Sequence, residues 1–149
     1  MKTFFKIIDD VLSTFMIRHG ILLLRISVGI IFVWFGVLKF FPNLSPAQDI
    51  AINTIDKLTF GLIDKNITIL LLALWETLIG IGLIFGKYLR VTLFLLFLQM
   101  LGAMMPLLLF PMETFSHFPY APTLEGQYII KNLVLISAGL VVGSTVRKN

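Results

Sequence analysis

Four long apolar runs, each bounded by a polar connection, set the rhythm of this chain. They fall at about residues 20–41, 66–85, 91–110 and 126–146. Each is close to the ~20 residues that a helix rising ~1.5 Å per residue needs to cross ~30 Å of hydrocarbon. Helix is the expected form, because an isolated strand would leave its backbone groups unpaired in lipid. Four crossings also bring the chain back to the side on which it began.

Two other segments have helical periodicity but are too polar to span. In residues 1–19, Phe4, Ile8, Val11, Leu12, Phe15 and Met16 share one face, and Lys2, Lys6, Asp9, Asp10, Ser13 and Thr14 share the other. This pattern predicts an amphipathic helix lying in the headgroup layer or against a partner protein. No small-residue cleavage site follows a short apolar core, so the first span reads as an uncleaved anchor and not as a signal peptide. Between spans one and two, Ser45-Pro46-Ala47-Gln48 predicts a helix start, with Ser45 as cap, Pro46 in the first position and Gln48 reaching back. Ala51, Ile55, Leu58 and Leu62 then form a stripe opposed by Asp49, Asn53, Asp56 and Lys57, which predicts a second amphipathic helix across one mouth of the bundle. Residues 111–125 hold three of the six prolines and read as an irregular loop. The expectation is an all-α, integral membrane four-helix bundle forming a single domain over residues 1–149.

Composition agrees. The chain is 58% hydrophobic and 13% charged, with a mean hydropathy of +0.97, well outside the usual range of soluble domains. The net charge of +4 does not point to nucleic acid, because the basic residues sit at the ends of the apolar runs and not in one cluster. Lys2, Lys6, Arg18, Lys87, Arg90, Arg147 and Lys148 fall on one side of the predicted spans, while only Lys57 and Lys65 fall in the loops of the other. The positive-inside rule therefore predicts both termini in the cytoplasm. There is no cysteine, which excludes thiol exchange and thiolate metal sites within this chain. His117 is a lone loop histidine, and no metal site is expected.

Polar side chains inside the spans carry the candidate chemistry, since ionisable groups are costly there and default to functional suspects. Glu76 lies nine residues beyond Ile67, roughly 14 Å into the layer and near its midplane. Gln99 reaches a similar depth from the opposite side. Arg25 is five residues inside span one, within reach of either the interface or Glu76, and Lys39 lies near the far end of the same span. Arg25, Gly29, Phe32, Gly36 and Lys39 line one face of span one, and their glycines permit close helix approach. Thr92, Gln99 and Pro106 share a face of span three, with Pro106 expected to kink it. In span four, Asn132, Ile136, Gly139 and Gly143 form another small-residue face. Lys131 and Asn132, with Glu125, are expected to face the same cavity as Lys39. Trp75 beside Glu76 is either core packing or the wall of a site for a flat ligand. Glu76 itself is open to three readings: an ion pair with Arg25, a protonated carboxyl bonded to Gln99, or a catalytic proton donor or acceptor.

The run Arg25-Ile-Ser-Val-Gly29-Ile-Ile-Phe-Val-Trp-Phe-Gly36-Val-Leu-Lys39-Phe resembles the first-helix signature of the DoxX-like membrane proteins. Trp75-Glu76 followed by Gly80, Gly82 and Gly86 looks like their second helix. Glu125-Gly126-Gln127-Tyr-Ile-Ile-Lys131-Asn132-Leu looks like the opening of their fourth, in a subfamily that includes a reactive-chlorine-resistance membrane protein. The resemblance implies a bacterial inner-membrane protein, often a subunit of a membrane oxidoreductase or linked to oxidative-stress defence. Thiosulfate chemistry, found in one such oxidoreductase, is not carried over to a chain without cysteine.

Three functions follow as expectations. The first is a membrane subunit binding a quinone or another small redox-active molecule, with Arg25, Lys39, Trp75, Glu76, Gln99, Lys131 and Asn132 as the binding set and no covalently bound cofactor. It would work beside a soluble or membrane oxidoreductase partner. The second is a carrier of a small acid or ion, which would need a homo-oligomer to enclose a path. The third is a structural or assembly role in which the buried charges specify helix pairing.

Overall fold

The computed structural model of the chain describes residues 2–41, 44–45 and 48–146, with side chains from residue 5 onward. Four helical segments are long and apolar enough to cross a membrane. The first, α1 (Lys2–Leu38), runs unbroken for 37 residues. It joins the expected interfacial helix to span one, so that the two are not separate elements. A single glycine inside a helix costs only about 1 kcal/mol relative to alanine, and Gly20 stands between apolar turns with open space around it.

α2 (Gln48–Leu58) is the helix expected between the first two spans; Pro46 and Ala47 of its expected cap lie outside the described residues. It ends four residues before Leu62, because the backbone turns left-handed at Phe60 and Gly61. α3 (Lys65–Phe85) starts at Asp64, whose carboxylate accepts from the Asn66 N–H at 2.8 Å. It stops at Gly86, whose φ of 71° is the left-handed value that glycine adopts without steric cost. The third span is α4 (Leu89–Met104) followed by α5 (Pro106–Leu109), broken at Met105. Pro106 lacks the N–H needed to continue the ladder, as its expected role as a kink requires.

Beyond it come α6 (Pro111–Thr114), the antiparallel pair β1 (Phe115–His117) and β2 (Ala121–Pro122), α7 (Leu124–Ile130) and α8 (Asn132–Gly143). The expected irregular loop over 111–125 is therefore a short helix and a hairpin. Thr123 caps α7 by accepting from the Gly126 N–H at 3.2 Å. The fourth span runs over Leu124–Gly143, with α7 and α8 divided by a single turn residue, Lys131, whose backbone stays right-handed at φ −60° and ψ −18°.

The spans close in a ring: α3 packs on α1 and α4, and α8 packs on α4 and α1. Phe32, Ile79, Leu83, Leu96 and Val142 fill the centre. Outside it, side chains such as Trp34 (65% exposed) and Phe85 (70% exposed) face outward, which suits lipid and not water. The α1–α3 seam is built on small residues, as the shared face of span one predicts. A Cβ on Gly80 would lie 2.6 Å from the Gly29 carbonyl oxygen, and one on Gly36 would lie 2.6 Å from Thr77 Oγ1. Backbones this close fix the register, with Gly29 opposite Gly80 and Ile84, and Gly36 opposite Ala73 and Thr77. At that register α1 ends level with about Ala73, whereas α3 begins eight residues earlier at Lys65. Roughly 12 Å of α3 is left without its span-one neighbour. α2 lies against α3 and α5 over that gap.

Candidate functional site

Glu76 sits at the middle of α3, and both of its carboxylate oxygens are engaged. Oε2 accepts from Lys39 Nζ at 2.6 Å and Oε1 accepts from Gln99 Nε2 at 2.9 Å. The Lys39 and Glu76 side chains are only 9% and 13% exposed, and theirs is the one salt bridge among the described residues. Lys39 lies just past the last helical residue of α1. The early end of α1 is what lets its long side chain turn into the bundle and reach Glu76. The expected meeting of Glu76 and Gln99 is present, and the cation beside Glu76 is Lys39.

Arg25 is elsewhere. The register that sets Gly29 against Gly80 puts Arg25 at Gly86, where its guanidinium occupies the space a side chain on that residue would need. Ten residues of helix, about 15 Å, separate Gly86 from Glu76. The Arg25–Glu76 pair considered from the sequence is thus replaced by Lys39–Glu76. Arg25 Nε is buried without a hydrogen-bond partner.

Next to Glu76 a cavity of about 830 Å³ opens in the space that α1 leaves vacant. Lys39, Trp75, Glu76, Gln99, Lys131 and Asn132 all line it. These are six of the seven residues singled out as a binding set from sequence, and Arg25 is the one that lies apart. Trp75 takes the expected place in the core packing and also borders the cavity. Its ring packs against the core and forms part of the cavity wall, while its indole Nε1–H donates to the Leu95 carbonyl at 3.2 Å. Lys131 lies at the α7–α8 junction with its ammonium over the Tyr128 ring, 5.5 Å from the centroid. Glu125 is exposed and is not part of the lining, contrary to the expectation that it faces this cavity.

α2 supplies the roof. Ile50, Ala51, Thr54, Ile55 and Leu58 face the cavity, with Ile50 and Thr54 the most buried. The inward face is therefore centred about one position away from the expected stripe, and Leu62 is exposed beyond the helix end. A clasp that sequence reasoning missed holds the roof: Lys57 Nζ donates to the Leu109 carbonyl at 3.4 Å and stands 4.8 Å from the centre of the Phe110 ring. Buried Thr68, also missed, adds a hydroxyl-bearing side chain to the wall. Its spacing from Glu76, two turns along α3, was the available signal. Most of the remaining wall is aliphatic or aromatic, and exposed Leu71, Leu98 and Val134 at the rim leave the cavity open at the bundle surface. Among the described residues no three His, Asp or Glu side chains converge.

Four apolar spanning helices around a polar-floored cavity define a multi-pass membrane protein of the small helical-bundle class. The model of the DoxX family matches residues 20–111, more than half of the 149-residue chain, and the chain belongs to that family. The match takes in the Lys39–Glu76–Gln99 network and the α2 roof, and ends before the hairpin and the fourth span. No curated protein and no solved structure matches the chain.

Proposed function

We propose that this DoxX-family protein binds a quinone, or another small redox-active molecule of that shape and polarity, in the cavity beside Glu76. The observation that carries the reading is a buried, hydrogen-bonded Lys39–Glu76–Gln99 network at the floor of a largely apolar cavity of about 830 Å³. Ligand sites for small molecules commonly measure ~300–1,000 Å³ and combine apolar walls with a few placed polar groups. Trp75 offers a face for a planar ring, and the Glu76 carboxyl is the group placed to hold or release a proton. Electrons come from a partner oxidoreductase that carries its own redox centre, consistent with a role in membrane redox or oxidative-stress defence. The proposed setting is a bacterial inner membrane, and Lys6, Arg18, Lys87 and Arg90 at one end of the bundle, against Lys57 and Lys65 at the other, support an orientation with both termini cytoplasmic. The cavity then belongs to the outer half of the bilayer.

Protein purified with its native lipids should retain quinone above background by mass spectrometry. Gly102→Leu should abolish that retention, because a side chain there starts in open space at the cavity wall. Absence of quinone from the wild type defeats the reading. The complete satisfaction of Glu76 by Lys39 and Gln99 favours a second reading, a purely structural network. On that reading Glu76→Gln lowers stability and Gly102→Leu has no functional consequence.

A further inference from the structure

Besides the Tyr128 phenol, three side chains of the acidic and basic types line the cavity: Lys39, Glu76 and Lys131. Lys39 and Glu76 are bonded to each other at 2.6 Å, and that pair is neutral as a whole whichever partner holds the shared proton. Lys131 has no carboxylate within salt-bridge distance among the described residues; its contact is the Tyr128 ring face. Asn132 beside it is half-buried, and no hydrogen bond joins its side-chain amide to another described residue. Lys131, an exposed residue at the cavity's edge, thus brings one positive charge that the protein does not balance, next to an unused amide donor.

A charge bordering a low-dielectric cavity attracts a counter-charge more strongly than it would in water. At the floor, Lys39 and Gln99 each give an N–H to Glu76, and the Lys39 charge is balanced by that carboxylate. The unbalanced positive charge lies on the α7–α8 side, with the Asn132 amide beside it. Resting on the quinone-site reading above, we infer that the cavity takes its occupant as a monoanion: an amphipathic ring compound whose deprotonated oxygen lies against Lys131 Nζ and the Asn132 amide. Its apolar body lies along Trp75 and the roof helix. A charge-assisted hydrogen bond from Lys131 then fixes the orientation, and the Lys39–Glu76–Gln99 floor contacts the far side of the ring. The competing role for Lys131 is to extend toward the interface as an anchor, which would give no preference for an anion.

Trp34→Phe leaves Trp75 as the chain's sole tryptophan, so its fluorescence in lipid nanodiscs reports occupancy of the cavity. Two probes of nearly the same shape are titrated at neutral pH: lawsone, a hydroxynaphthoquinone that is ionised there, and menadione, its neutral methyl analogue. Lawsone should bind about tenfold more tightly than menadione. Lys131→Gln should erase that preference while leaving menadione binding unchanged, which also shows that the variant is folded, and Lys131→Arg should keep it. Equal affinities for the two probes, or a preference that survives Lys131→Gln, overturn the inference and leave the quinone site standing. Loss of both probes in Lys131→Gln also overturns it, since the amine would then be holding the helix junction and not the anion. Failure of wild type to bind either probe overturns the quinone reading itself.

Discussion

The bundle has two unlike halves. Toward the α3–α4 turn the helices close on one another through glycine: Gly29 against Gly80, Gly82 against Thr92, and Gly86 against the Arg25 guanidinium. Toward the hairpin the spans are interrupted. α1 stops at Leu38, the third span breaks at Met105 and the fourth at Lys131. The first half has no room for another methyl group at Gly80, Gly82 or Gly86, while the second holds a cavity of about 830 Å³ under a separate roof helix. Close packing in lipid gains its energy from van der Waals contact between backbones. Spans packed that way stabilise the assembly; in the hairpin half the close glycine contact is Gly126 against the Thr114 carbonyl, outside the cavity lining, and the spans there leave space for a ligand.

The sharpest way to break this comparison is to add a side chain to each half. Gly80→Leu should cost about 3 kcal/mol or more, because the new atoms meet the α1 backbone, which cannot swing aside as a side chain can. Gly102→Ala in the open half should be neutral or stabilising by up to about 1 kcal/mol, since nothing lies within 4 Å of the added carbon and alanine favours the helix. Thermal unfolding in detergent reads both. Similar losses for the two variants would mean that the halves do not differ in packing.

The ion pair sits where the halves meet, and its cost follows from the same geometry. Glu76→Gln leaves the Lys39 ammonium nearly buried without a counter-charge and should destabilise the protein by about 3 kcal/mol. Lys39→Met should cost a similar amount. The double replacement Lys39→Met with Glu76→Met should recover most of the loss, since a buried pair exchanged for apolar residues is often close to neutral. Recovery of stability together with loss of quinone retention would separate the network's chemical role from its structural one. If the double variant retains quinone fully, Glu76 has no part in the site.

Much of this arrangement was legible in the sequence. Span two was expected at 66–85 and α3 covers Lys65–Phe85, because an apolar run of that length with an Asp before it and a Gly after it has few alternatives in lipid. Counting residues from the span ends placed Glu76 and Gln99 at one depth, and they are bonded. The partner of Glu76 was not legible. Depth along a single helix says nothing about how far two helices slide past each other, and here glycine contacts set that slide, bringing Lys39 to Glu76 and Arg25 to Gly86. The hairpin was missed because strands of three and two residues are too short to show alternation. The local turn at Lys131 inside the fourth span carries no Pro or Gly to mark it. The cavity itself follows from where α1 stops, and apolar Leu38, Phe40 and Phe41 give no sign of a helix end to a reader of hydropathy.

The smallest expected effect tests whether the roof moves independently of the walls. α2 is tied to the third span by Lys57, through the Leu109 carbonyl and the Phe110 ring, both exposed contacts of the kind worth only a fraction of a kcal/mol. Lys57→Ala should therefore leave the unfolding temperature unchanged and raise hydrogen exchange in Gln48–Leu58 by about two- to threefold, with no change in Lys65–Phe85. Faster exchange confined to α2 would identify a roof that opens while the bundle stays closed, and ligand dissociation should then quicken by a similar factor. Unchanged exchange in α2 would mean that the apolar face of Ile50 and Ile55 holds the roof by itself. The two halves would then be equally rigid, and they would differ only in how much space they enclose.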